Sequence, residues 1–100
     1  MKFINSNQVL KMIKQNRLTL IIDVRDEEQY TLGHIPNSIN MPIDIIQDNI
    51  DKLYLYKNEP ILIYCSNGQI SAIVGKYLEK QGFYNIYNLL NGVDNYKIKN

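Results

Sequence analysis

Apolar residues recur along the 100-residue chain in two kinds of run, and each kind predicts an element. Leu18-Thr19-Leu20-Ile21-Ile22-Asp23-Val24 and Ile61-Leu62-Ile63-Tyr64 are nearly continuous, as strands covered on both faces of a parallel sheet are. Phe3-Ile4, Ile39-Asn40-Met41 and the run from Asn85 to Leu89 are shorter and lie between turn residues, and they predict further strands. Elsewhere the apolar spacing is helical. Ser6 is the expected N-cap of a helix carrying Val9, Leu10 and Ile13 to about Gln15. Ile45, Ile46, Ile50, Leu53 and Leu55 predict an amphipathic helix from Asp44 to about Tyr56, and Ile70, Ile73, Val74, Tyr77 and Leu78 predict another up to Gly82. Asp26-Glu27-Glu28 suit the first turn of a short helix ending near Gly33, and Val93 to Lys99 predicts a terminal helical piece.

Strands alternate with helices. The expected fold is therefore α/β: three layers, with a central, mainly parallel sheet of about five strands, right-handed crossovers and helices on both faces. In such sheets ligands bind at the carboxyl ends of the strands. Repeats, linkers and low-complexity tracts are lacking, so residues 1–100 read as a single domain.

Composition narrows the function. A net charge of +1, with eleven scattered basic residues, offers no field for nucleic acid or an anionic membrane. The first residues lack an apolar core segment, so neither a leader nor a membrane span is expected. One cysteine excludes an intramolecular disulfide and does not support a metal cluster, and a cytoplasmic, reducing setting is the expectation.

That cysteine, Cys65, stands where a strand gives way to Ser66-Asn67-Gly68-Gln69-Ile70-Ser71 and then to a helix. The first N–H groups of a helix lack partners and carry the positive end of its dipole, so a sulfur beside them is favoured as an anion and becomes nucleophilic. Gly68 lets the loop curl its N–H groups inward, and Ser66, Asn67 and Ser71 add short hydrogen-bonding side chains. Taken alone, the local pattern fits an inert buried thiol as well as a reactive one.

Cys65-Ser66-Asn67-Gly68-Gln69-Ile70-Ser71 resembles the active-site loop of single-domain rhodaneses, of the form C-x-x-G-x-R-S. Asp23-Val24-Arg25, Tyr30, Gly33-His34-Ile35-Pro36 and Ile39-Asn40-Met41-Pro42 are similar to that family's D-V-R … Y-x-x-G-H-I-P-x-A-x-N-x-P, and Leu90-Asn91-Gly92-Val93 with Tyr96 to its L-x-G-G and following aromatic residue. Two positions depart from the family. Ile70 stands where many members carry Arg, which leaves the loop without a basic residue, and Gln29 stands where Glu is common, removing one carboxylate partner for Arg25.

The resemblance implies sulfur transfer through a persulfide on Cys65, with residues 66–71 as the sulfur- and anion-binding loop. No metal and no organic cofactor is needed. The partners implied are a small sulfane-sulfur donor (thiosulfate, persulfide or polysulfide) and a thiol or cyanide acceptor from outside, since no second cysteine can resolve the persulfide. Without Arg at position 70, weak use of thiosulfate is expected. Ile70 and Ile73 would form an apolar lip suited to a protein donor or acceptor if they lie exposed at the helix margin.

Asp23 and Arg25 are candidate substrate contacts, but the expectation is that Arg25 pairs structurally with Asp26, Glu28 or another acid. His34 is a candidate base for Cys65, and its expected role is to hold its turn by hydrogen bonds. Tyr64 and Tyr96 are candidates for the pocket border. Three other functions compete: a phosphatase or arsenate reductase, whose loop would need the missing Arg; a non-catalytic binding module; and a sensor that reads oxidation or persulfidation of Cys65.

Overall fold

The computed structural model describes residues 1–95. Its elements run β1 (Lys2–Ile4), α1 (Ser6–Lys14), β2 (Leu20–Asp23), α2 (Glu27–Leu32), β3 (Ile39–Asn40), α3 (Ile50–Leu53), β4 (Ile61–Tyr64), α4 (Gln69–Lys80) and β5 (Ile86–Leu89). Among the described residues five strands form one parallel sheet in the order β1-β5-β4-β2-β3. The first and last strands described therefore meet, because β1 pairs with β5.

Side-chain alternation along β4 explains its unbroken apolar run. Ile61, Ile63 and, just past the strand, Cys65 join Val74 and Leu78 of α4 and Leu53 of α3 in one core. Leu62 and Tyr64 point the other way, to Val9 and Met12 of α1. Both faces of the sheet are thus covered, as in other parallel α/β sheets. No helix among the described residues is long and apolar enough to cross a membrane.

Three expected elements differ from the observed ones. The first helix is capped by Asn5, not Ser6: the Asn5 side chain accepts from Gln8 N–H (2.9 Å) while the Gln8 side chain accepts from Asn5 N–H (2.8 Å), a reciprocal box that Ser6 cannot form one position later. The helix expected from Asp44 to Tyr56 is instead a chain of 3₁₀ turns around the four-residue α3. Ile46 and Leu53 are buried there, but Ile45 and Leu55 are exposed, so the apolar positions do not form one stripe. The Asn49 side chain donates to the Ile45 carbonyl (2.9 Å), a local bond of the kind that competes with helix geometry. Val93–Asn95 forms a 3₁₀ turn; the rest of the expected terminal helix, and Tyr96, lie outside the described residues.

Candidate active site

Cys65 follows the last residue of β4, and its sulfur accepts the backbone N–H of Gly68 (3.2 Å) and of Ser71 (3.3 Å). Gly68 makes this curl possible: it holds φ +94°, a left-handed conformation disfavoured for side-chain-bearing residues, at the start of α4. The loop's outward carbonyls are bound as well. Val93 N–H donates to the carbonyl of Cys65 and Asp94 N–H to that of Ser66, both at 2.9 Å. Gly92 permits this approach, since a Cβ there would collide with the Ser66 carbonyl. With carbonyls clamped outward and N–H groups turned inward, the loop forms a nest that favours an anion at the sulfur.

The thiol itself donates to Ser71 Oγ (3.3 Å), and the Ser71 hydroxyl donates to Asn88 Oδ1 (2.8 Å). Asn88, in β5, completes a buried polar chain that the sequence reading did not include. The available signal was an amide inside an otherwise apolar strand.

Cys65 lies at a cavity of about 620 Å³, also lined by Arg25, Asp26, Ile43, Asp44 and Ile70. Of the loop side chains, Ser66 Oγ accepts from Gln29 Nε2 (3.2 Å) and Asn67 Oδ1 accepts from Gln69 N–H (3.1 Å). Gln29 thus braces the cysteine loop. Ile70, which lines the cavity, is 42% exposed and Ile73 60%, while Val74 and Leu78 face the sheet, so both isoleucines meet the exposure that the expected apolar lip requires.

Asp23 and Arg25 pair with each other, so Arg25 has the structural carboxylate partner expected of it, and that partner is an acid other than Asp26 or Glu28. Arg25 Nη2 lies 2.7 Å from Asp23 Oδ2, Nε bonds both carboxylate oxygens, and Nη2 also donates to the Gly33 carbonyl (2.6 Å). Burial disfavours the Arg25 charge, but Asp23 and Tyr64 outweigh it and hold the guanidinium more firmly protonated than usual. Asn40 ties down the same corner by donating to the carbonyls of Asp23 (3.1 Å) and Arg25 (2.9 Å).

His34 stacks on the ring of Tyr30, with centroids 3.8 Å apart, and its Nδ1 lies 2.8 Å from the Tyr30 carbonyl oxygen. These contacts fit the expected bracing role. Tyr64 does not border the cavity: alternation turns it to the α1 face, where its buried hydroxyl accepts from Ile35 N–H (3.1 Å) and lies 3.1 Å from Ser38 Oγ. Burial raises its pKa well above the usual tyrosine value.

Residues 5–99 match the sequence model of the rhodanese-like domain. The chain belongs to the rhodanese-like domain family. It is 31% identical over 96 residues to the thiosulfate sulfurtransferase GlpE of Coxiella burnetii, covering 96% of this chain and 87% of that protein. The crystal structure of a rhodanese-like domain protein from Staphylococcus aureus matches it with a TM-score of 0.88 and 31% identity, over 99% of this chain and 97% of that one. A tRNA uridine(34) hydroxylase of Buchnera aphidicola is 30% identical over 98 residues; there the match covers 94% of this chain but 31% of the longer protein. The chain is thus similar both to a sulfurtransferase and to a stretch of a longer enzyme named for another reaction.

Proposed function

We propose that this rhodanese-like domain is a sulfurtransferase that carries sulfane sulfur as a persulfide on Cys65. The observation that carries the reading is the Cys65 sulfur held by two backbone N–H groups beside an open cavity. The Cys65 thiolate attacks the outer sulfur of a donor; the donor S–S bond breaks and its inner sulfur leaves as a thiolate, or as sulfite when thiosulfate is the donor. The outer sulfur of Cys65–S–S⁻ extends the anion into the cavity. An external thiolate or cyanide then attacks that outer sulfur, forming a new persulfide or thiocyanate and returning the Cys65 thiolate. Both steps are displacements at sulfur with no net change in oxidation state.

Persulfide is the preferred donor in this reading, and three features support it. Ile70 supplies no charge, Arg25 is neutralised by Asp23, and Asp26 and Asp44 face the same cavity. A dianion such as thiosulfate meets backbone N–H groups but no free guanidinium. The apolar lip of Ile70 and Ile73 suits a persulfide carried on a protein.

Intact-mass spectrometry after incubation with glutathione persulfide, and separately with thiosulfate, tests the reading. The expected result is a gain of about 32 Da, the mass of one sulfur, that is absent in Cys65→Ser, is removed by cyanide and appears faster with the persulfide. No gain with either donor overturns it in favour of a binding or sensing module.

A further inference from the structure

Ser71 and Asn88 are fully buried and Cys65 is 3% exposed, and their side chains form a hydrogen-bond chain with one direction. The Cys65 thiol donates to Ser71 Oγ, the Ser71 hydroxyl donates to Asn88 Oδ1, and Asn88 Nδ2 donates to the thioether sulfur of Met1 (3.6 Å). A hydroxyl has a single hydrogen. With that hydrogen committed to Asn88, Ser71 offers Cys65 only a lone pair, which suits a protonated sulfur and repels an anionic one. The N–H groups of Gly68 and Ser71 act in the opposite sense. We propose that Asn88 is a positioning residue that turns the Ser71 hydroxyl away from the sulfur and so keeps Cys65 protonated at rest.

This inference rests on the reading of Cys65 as the reacting atom. Asn88 acts only through Ser71. When the sulfur ionises, the hydroxyl has to leave Asn88 and turn to the anion, which leaves a fully buried acceptor without its donor. The chain thus restrains a thiol that its loop would otherwise ionise more readily, and the restraint is released at the moment of reaction.

The full chain is compared with Asn88→Leu, Asn88→Ala, Ser71→Ala and the double variant Asn88→Leu/Ser71→Ala. The charged groups at the cavity, Arg25 with its partner Asp23, Asp26 and Asp44, are the same in all of them. Ultraviolet thiolate absorbance and the rate of alkylation by iodoacetamide are read at neutral pH. Freeing the Ser71 hydroxyl should raise both by roughly tenfold in Asn88→Leu and Asn88→Ala, the effect of one hydrogen bond to a charged group. In the Ser71→Ala background the Asn88→Leu change should alter neither. A fall or no change in folded Asn88→Leu and Asn88→Ala overturns the proposal, and so does an equal rise on Asn88→Leu in the Ser71→Ala background. Persulfide loading of the same samples separates the two readings: alkylation as expected without sulfur uptake would sink sulfur transfer and support the role of Asn88.

Discussion

Two neighbouring strands, β2 and β4, pair side by side and end at the same rim of the sheet, but their ends are built in opposite ways. After β2, opposite charges are turned on each other: Asp23 holds Arg25, and the Gly33 carbonyl takes part of what remains of the guanidinium. After β4 no formal charge is present, yet N–H groups converge on one sulfur while the matching carbonyls are bound behind it. The conspicuous ionic residues form a scaffold, and the polarity available for chemistry comes from the backbone. Removing a charge should therefore cost stability at the first end, and adding one should alter substrate choice at the second.

The largest effect is expected for Arg25→Met, which strands the buried Asp23 carboxylate. Urea unfolding should show a loss of about 3–5 kcal/mol. Sulfur uptake per folded molecule should survive; loss of uptake at unchanged stability would instead place Arg25 in the chemistry. Ile70→Arg should do the reverse. Thiosulfate loading should improve by roughly ten- to a hundredfold, as one or two charged hydrogen bonds form, with stability little altered. An unchanged KM for thiosulfate would mean that the missing cation does not set the donor.

The smallest of the three is Tyr64→Phe, at the buried support shared by the two ends. Loss of the hydroxyl leaves Ile35 N–H without its acceptor and should cost about 1–3 kcal/mol. Burial raises the folded-state pKa of Tyr64 above its unfolded value of about 10. The neutral ring thus contributes stability that is complete below about pH 10 and is lost as pH rises toward the folded value. Above about pH 10 the stability from urea unfolding should fall less steeply with pH in Tyr64→Phe than in the parent chain; an identical slope would show that Tyr64 does not drive the alkaline loss.

The strands and the Cys65 loop were legible because they rest on local rules: unbroken apolar runs, a glycine three residues after the cysteine and a helix starting at once. The length and spacing of the segment from Asp44 to Tyr56 misled, because helical periodicity there competes with Asn49 bonding back to Ile45. The partners of Arg25 were open in sequence, since Asp23, Asp26 and Glu28 lie at similar separations and only the local backbone selects among them. Asn88 was not legible from its own neighbourhood. Its role depends on β5 lying beside β4, a pairing across more than twenty positions of chain.

That pairing also sets when the loop around Cys65 can be completed. The carbonyls of Cys65 and Ser66 are held by Val93 and Asp94, and β5 lies between β4 and β1. During synthesis, the strand made first must wait for the strand made last before it can dock beside it. A chain cut short before Asp94 therefore lacks a donor for the Ser66 carbonyl, and its cysteine loop stays without the full clamp.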